Sequence, residues 1–378
     1  MRPVDVEIVD LFAGPGGLDV AARELGRSVT GIEWDANACA TRRAAGLSTI
    51  EGDVRNYHPS DFPNATVLAG GPPCQTYTVA GTGAGRRALD DVLRFVARMA
   101  RNIDVTKGLA DLDDERTGLV LEPLRWALAA MHSGHPYEAI VLEQVPSVLP
   151  VWKAFGMVLE SKGYSVDSGV LHTEEFGVPQ TRRRAVLIAR LHGDAELPGT
   201  THQRYRKGQP PTTGTQGPKP WVSMGEALAR TRSEPFVVIS NYGTGGDPKD
   251  RGRRSSHEPA ATVTGKVSRN RVVALDGTER DRFSFAEAGL LQTFPANHPW
   301  TGNAVAQQIG NAIPPLLATH VLKAALDLDG ASSPRPARSQ QALPLFDEVI
   351  RRDRSSVVNI GTGLPGHARR YEKETSRS

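Results

Sequence analysis

Cysteine is scarce: the 378 residues hold only Cys39 and Cys74, and aromatic residues make up 6%. Two cysteines exclude a disulfide scaffold. A structural zinc site needs four Cys/His ligands at short spacings, and the ten histidines do not cluster with them that way, so no metal is expected. Each cysteine is then either a small buried residue or a reacting group. No apolar run approaches the roughly 18 residues that cross a bilayer, and no membrane partner is expected. The start, Met1-Arg2-Pro3-Val4-Asp5, runs almost at once into a strand-like stretch and leaves no room for a signal peptide. The cytoplasm is therefore the expected location. Charge of one sign is lacking as well, because the net +3 is too small to identify a partner. Its distribution says more: residues 201–283 carry 15 Lys/Arg against 8 Asp/Glu, a local excess of +7. Such a segment suits a docked polyanion, although a solvated basic face explains the charge alone equally well.

With 39% hydrophobic and 23% charged residues, the composition is that of an ordinary globular protein, long enough for two domains. Apolar runs alternate with helical patterns in the first half. Val6–Phe12, Ser28–Ile32, Thr66–Ala69, Ala139–Leu142 and Ala185–Ala189 read as strands. Leu18–Leu25, the stretch up to Ala44, Leu89–Met99 and Trp152–Lys162 read as helices. This alternation predicts an α/β fold with a mostly parallel sheet and helices on both faces. Near residue 195 the composition turns to Gly, Pro, Thr and Arg, which predicts a smaller, loop-rich domain of short strands over 195–283, with Asn241–Asp250 as a turn-rich stretch. Helical periodicity returns at Phe285–Leu291 and Pro315–Leu326. The expected organisation is thus a catalytic domain at 1–194, the small domain at 195–283, a returning segment at 284–330, and a linker and tail at 331–378.

The first strand ends in Asp10-Leu11-Phe12-Ala13-Gly14-Pro15-Gly16-Gly17 and opens a helix. Glycine lets main chain approach a ligand closely. Glu33 follows Gly14 by 19 residues at the end of the second strand, where a carboxylate can accept from ribose hydroxyls. Asp53 ends the next candidate strand and can receive an adenine amino group. The glycine spacing is not the dinucleotide pattern, and the Gly-Lys-Ser/Thr of a triphosphate loop is missing. A ligand with adenosine but no phosphates fits better, and S-adenosylmethionine is the candidate.

Gly70-Gly71-Pro72-Pro73-Cys74-Gln75 follows the third strand and presents Cys74 on a rigid turn at the carboxyl end of the sheet, where doubly wound folds bind ligands. A free thiol is only a few per cent ionised at neutral pH, so a nucleophile needs help from local dipoles or cations. Glu143 caps the strand Ile140–Leu142, where burial raises a carboxyl pKa and lets it give a proton to a ring nitrogen. In Gln180-Thr181-Arg182-Arg183-Arg184, an extended chain puts Arg182 and Arg184 on one face, suited to an anion or a carbonyl oxygen.

Taken together, these segments resemble the cytosine-5 DNA methyltransferase family over about residues 6–190 and 284–325. Asp10–Gly17 is similar to its first cofactor motif, Gly70–Gln75 to its nucleophile motif and Glu143 to its catalytic glutamate. Gln180, Arg182 and Arg184 are similar to its arginine motif, and Leu291–Pro295 and Gln308–Pro315 to its closing motifs. The resemblance implies a Rossmann-like S-adenosylmethionine-dependent methyltransferase domain with a smaller target-recognition domain. It implies catalytic roles for Cys74, Glu143, Arg182 and Arg184. Cofactor contacts are implied for Phe12, Gly14, Gly16, Gly17, Glu33, Trp34, Asp53, Val54, Pro73 and Asn311. The implied reaction moves a methyl group from S-adenosylmethionine to carbon 5 of a flipped cytosine in a specific duplex DNA sequence, through a covalent Cys74 adduct, leaving S-adenosylhomocysteine. The expected enzyme is a monomer, with a cognate restriction endonuclease, if present, acting separately. A transfer RNA methyltransferase and a non-catalytic DNA-binding regulator on the same scaffold are the alternatives. Two departures stand out. Gln144 replaces the usual Asn after the glutamate, and Thr76-Tyr77-Thr78 replaces the usual Gly-Phe-Ser after Gln75.

Overall fold

The computed structural model describes residues 7–73, 83–110, 112, 115–212, 217–240 and 252–328, with main chain only at 83–88 and 115–116. Cys74, the turn-rich Asn241–Asp250 stretch and the tail at 331–378 lie outside the described residues.

Short β-branched and aliphatic runs form the strands. β1 (Glu7–Leu11), β2 (Ser28–Glu33), β3 (Ser48–Glu51), β4 (Ala65–Gly70) and β5 (Ala139–Gln144) lie side by side. With β6 (Ser165–His172) and β8 (Arg183–Arg190) they build a seven-stranded sheet in the order β3-β2-β1-β4-β5-β8-β6. β1 through β5 are parallel, while β8 runs antiparallel to both β5 and β6. The carboxyl ends of β1, β2, β4 and β5, the start of β8 and the end of β6 therefore share one edge. Two-residue β7 (Gln180–Thr181) pairs away from this sheet, with β11.

Helices cover both faces, as buried parallel strands require. On one face, Leu124 and Trp126 of α6 (Glu122–His132) and Val151, Trp152 and Phe155 of α7 (Leu149–Glu160) pack on Val9, Leu11, Leu68, Ile140 and Leu142. α3 (Gly83–Met99) adds Val92 and Val96 there; its first turns take up Gly83–Arg87, ahead of the helical start expected at Leu89. Short α4 (Thr106–Ala110) and α5 (Glu115–Leu119) precede α6. On the other face, Ala21 and Ala22 of α1 (Gly17–Glu24) and Leu317, Val321 and Leu322 of α11 (Pro315–Leu326) cover Ile8, Val67, Val141, Val186 and Ile188. α2 (Ala36–Ala44) joins β2 to β3.

A second sheet, in the order β10-β9-β12-β13, is antiparallel. It consists of β9 (Phe236–Ile239), β10 (Arg253–Ser255), β12 (Arg271–Ala274) and β13 (Glu279–Arg280), with β11 (Ala260–Ala261) beside β7. Its core includes Met224 and Leu228 at α8 (Met224–Ala227), Leu291 of α9 (Phe285–Leu291), and Val305 and Ile309 of α10 (Val305–Asn311). The segment expected to return at 284 thus first completes the second core, and α11 alone packs broadly on the seven-stranded sheet.

Candidate active site

β1 ends in a turn with Phe12 at φ 61°, Gly14 at 56° and Gly16 at 96°. Left-handed backbone is ordinary for glycine but costs a bulky residue free energy, and such strain gathers at ligand sites. Gly17 is needed for a different reason. A Cβ there would lie 2.2 Å from the Ile313 carbonyl oxygen, because the closing segment before α11 lies directly on the turn.

Beneath the turn is a polar cluster that sequence reading missed. Arg42 Nη1 and Nη2 donate to Asp19 at 2.8 and 2.6 Å, and Arg42 also reaches the Ser48 carbonyl and the Thr49 hydroxyl, with both charged side chains buried. Gly31 leaves the space: a Cβ there would meet Arg42 Nη2 at 2.0 Å. Burial, with Asp19 close by, holds Asp10 well above the usual carboxylate range. Nothing in the sequence pairs Asp19 with Arg42, each one of several charged residues in its helix. On the outer side, Phe294, His298 and Trp300 stack edge to face, and Phe294 shares a small core with Val20. Burial pulls His298 down to about 4, against its hydrogen bond to the Pro15 main chain.

The acceptors sit at successive strand ends. Glu33 Oε2 accepts from the Gly14 amide and Oε1 from the Asp35 amide, both at 2.7 Å. A carboxylate has about four acceptor positions, so Glu33 keeps one on each oxygen, enough for a diol. Burial raises its pKa, opposed by these two amides. Next to it Trp34 is 66% exposed, a flat apolar surface at the sheet edge. Asp53 caps a 3-10 turn at Val54–Asn56, and its carboxylate takes four contacts from Arg55 at 2.5–3.0 Å. For Asp53 to receive an adenine amino group, the Arg55 side chain has to swing off. Val54 is buried beside it, while Asn311 is exposed and accepts from Gln307 Nε2 at 3.3 Å.

At the other half of the edge Glu143 is half-buried, and the Arg184 Nε lies 2.5 Å from its Oε1, an ion pair without the alignment of a hydrogen bond. Burial pushes the Glu143 carboxyl up, and the Arg184 guanidinium only partly offsets it. Gly71 stands over it: a Cβ there would lie 3.7 Å from both the carbonyl oxygen and Oε2 of Glu143. Gln144, the unusual residue, gives its amide nitrogen to the Pro72 carbonyl, and its amide oxygen accepts from the Val145 amide at 2.5 Å. It thus ties the turn leading through Pro73 toward Cys74 to the end of β5. The longer side chain keeps a bridging role.

Arg182 is placed apart from Arg184. Expected beside it on the base side, it is 1% exposed and turned inward. The chain leaves β7 and enters β8 at this point, so the simple alternation of one strand does not hold. Arg182 Nη1 donates to the Val263 carbonyl at 2.8 Å, and Nη2 to those of Gly310 at 2.7 Å and Ala312 at 3.3 Å. The last two lie at the carboxyl end of α10, where unsatisfied carbonyls and the helix dipole favour a cation. Gln180 joins the same junction, donating to the Leu291 carbonyl and Gln292 Oε1 and accepting from the Val263 amide. Gln180 and Arg182 therefore fasten β7, the second sheet's core and the closing segment together.

Among the described residues no helix is long and apolar enough to cross a membrane, and no group of His, Cys, Asp and Glu could hold a metal ion. The glycine turn, the acceptors at the ends of β2 and β3 and the largely parallel sheet define a Rossmann-like methyltransferase fold of the S-adenosylmethionine-dependent kind. Solved structures share it. The Dnmt2 methyltransferase of S. pombe covers 85% of this chain and 99% of its own at a TM-score of 0.57 and 16% identity. A putative DNA modification methyltransferase of an E. coli prophage reaches 0.52 and 17%, covering 86% of this chain and 99% of its own. The sequence model of the C-5 cytosine-specific DNA methylases matches residues 6–104 and 138–226, and the chain belongs to that family. Among curated relatives, the type II methyltransferase M1.HphI of Haemophilus parahaemolyticus is 26% identical, over 85% of this chain and 87% of its own. M.NgoFVII of Neisseria gonorrhoeae shows the same identity and the same coverage.

Proposed function

We propose that this protein methylates carbon 5 of cytosine in duplex DNA, within a specific sequence read by the domain at 195–283. The observation that carries the reading is Glu143, half-buried at the carboxyl edge with a raised pKa and paired with Arg184, one strand away from the Gly71–Pro73 turn that leads to Cys74. The target base is flipped out of the duplex, at about a few kcal/mol. Cys74, as thiolate, forms a bond to ring carbon 6, and neutral Glu143 gives its proton to ring nitrogen 3. Arg184, paired with Glu143, orients that carboxyl and faces the base. Electron density raised at carbon 5 lets that atom accept a methyl group. A water at the site takes the carbon 5 proton, the electron pair left behind expels Cys74 as thiolate, and ring nitrogen 3 returns its proton to the Glu143 carboxylate, which restores the ring.

S-adenosylmethionine supplies the methyl group and leaves as S-adenosylhomocysteine. The residues present fit it: Glu33 has free acceptor positions that would take the ribose hydroxyls, Trp34 and Phe12 would flank the adenine, and Gly14, Gly16 and Gly17 would keep side chains clear of the main chain there. Asp53, Val54, Pro73 and Asn311 complete the pocket once Arg55 moves. The protein acts as a monomer in the cytoplasm, and any cognate restriction endonuclease acts separately, in keeping with the type II naming of the relatives.

Expression in a methylation-deficient bacterial host, followed by bisulfite sequencing, tests the reading. Methylation at one recurring sequence is expected. Unmodified host DNA from folded protein that binds S-adenosylmethionine would overturn it, and methylation of transfer RNA instead would move the substrate to RNA.

A further inference from the structure

Asp53 depends on a connection with little regular structure of its own. Gly52 donates its amide to the Glu33 carbonyl at 2.9 Å, so the residue before Asp53 is tied to the other acceptor of the cofactor side. After Asp53 the chain makes the 3-10 turn Val54–Asn56 and a second one at Pro59–Asp61 before it enters β4. The first turn closes weakly, because the Tyr57 amide meets the Val54 carbonyl only at 3.4 Å. The Tyr57 ring folds back over Gly52, where a Cβ would lie 2.6 Å from the hydroxyl oxygen.

Arg125 holds this turn from outside. It stands on α6, 68 residues beyond Tyr57 in sequence. Its Nε donates to Glu122 Oε2 at 2.8 Å, one helical turn back, which fixes the direction of the guanidinium. Nη2 then donates to the carbonyls of both Val54 and Tyr57, each at 3.1 Å. Those two carbonyls bracket the turn. Trp126, the next residue of α6, packs on Phe62 with ring centres 5.7 Å apart, so the same helix also anchors the far end of the connection.

The consequence falls on Asp53. Once the Arg55 side chain swings off, one tie to the carboxylate stays, the Arg55 amide on Asp53 Oδ1 at 2.9 Å. That amide belongs to the turn that Arg125 brackets, so the place of the turn decides where the freed Oδ2 points. Burial alone would raise the Asp53 carboxyl, but hydrogen bonds from Arg55 and the charges of Arg55 and Arg125 hold it below the usual carboxylate range. An ionised carboxylate accepts only, which suits an amino group and repels an oxygen in its place.

We propose that Arg125 is a positioning residue for the cofactor. By holding the turn at 54–57 it sets where Asp53 meets the adenine amino group, and with that the preference for adenine over a base carrying an oxygen there. The inference rests on the S-adenosylmethionine reading above.

Calorimetric binding of S-adenosylhomocysteine and of its inosine counterpart, in which an oxygen replaces the amino group, reads that preference as a ratio of Kd values. The unaltered protein should bind the adenosine form about 10-fold more tightly. Arg125→Ala should weaken binding of the adenosine form by about 10-fold, leave the inosine form nearly unchanged, and bring the ratio to within about twofold of one. Arg125→Gln, which keeps the stem and one donor group, should melt close to the unaltered protein and lose about threefold of the ratio. In an Asp53→Ala background, Arg125→Ala should add less than about twofold, because both changes act on one contact. An unaltered ratio in folded Arg125→Ala, or in Arg125→Gln should the alanine variant not fold, would overturn the proposal. Equal weakening of both ligands would overturn it too, being the mark of a merely structural arginine, as would a further loss of about 10-fold in the Asp53→Ala background. Equal binding of the two ligands by the unaltered protein would overturn the adenine contact itself. Failure of the unaltered protein to bind either ligand would instead overturn the S-adenosylmethionine reading.

Discussion

The two ends of the carboxyl edge solve different problems with the same residue types. At the ends of β1 and β2, one carboxylate, Glu33, is met by two main-chain amides and left with spare acceptor positions next to an exposed indole. At β5 and β8, the carboxylate is half-buried, has a raised pKa and faces one guanidinium. The first arrangement suits a neutral ligand with hydroxyls and an aromatic ring. The second suits a proton transfer. Two main-chain amides hold Glu33, with the Arg42 charge acting on it from a distance, whereas Glu143 meets a guanidinium directly, from a side chain forty-one residues away in sequence.

The largest expected effects break the base side. Glu143→Gln should cut the rate of methyl transfer by about 10²- to 10⁴-fold, the usual worth of a general acid, with cofactor affinity retained. The sign of the pH dependence follows from the raised pKa. Glu143 acts while it holds its proton, so activity falls as pH rises through that pKa. The glutamine variant should lose this limb in a single-turnover pH series; an unchanged limb would assign it to another group.

The two arginines divide the same side. Arg182→Ala should orphan carbonyls at Val263, Gly310 and Ala312 and lower stability by about 3 kcal/mol or more, read by urea titration. Arg184→Ala should leave stability nearly unchanged and lower methyl transfer instead. The opposite pattern would return Arg182 to the base.

On the cofactor side, Glu33→Ala should weaken S-adenosylmethionine binding in calorimetry by about 10- to 100-fold, the worth of charge-assisted hydrogen bonds. The smallest change has the opposite sign. Arg55→Ala frees Asp53 and should tighten the same binding by roughly two- to fivefold, the worth of an exposed ion pair. Weaker binding would mean that Arg55 itself holds the ligand.

Much of this edge was readable in advance. Val6–Phe12, Ser28–Ile32, Thr66–Ala69, Ala139–Leu142 and Ala185–Ala189 correspond closely to β1, β2, β4, β5 and β8, because buried strands are written as aliphatic runs. β3, as Ser-Thr-Ile-Glu, and β6, which carries Ser, Asp and Gly beside its apolar residues, gave no such signal as the sheet's two edge strands. Helix α6 was unreadable for the opposite reason, being apolar nearly all round. Glu33 and Glu143 were legible because each caps a strand. The Arg42–Asp19 pair, the Arg182 junction and the Arg125 contact with the turn at 54–57 join segments far apart in sequence or in neighbouring elements, and local pattern says nothing about which charges will meet.

The sequence by itself determined the strand ends, the glycine turn and the order of motifs, since hydrophobic period and turn chemistry are local properties of the chain. Tertiary structure alone decided what each charged side chain faces. Arg182 and Arg184 stand two residues apart, yet one caps a helix end in the interior and the other meets the Glu143 carboxylate. The choice depends on where the main chain passes from β7 to β8, and on which partners burial leaves within reach.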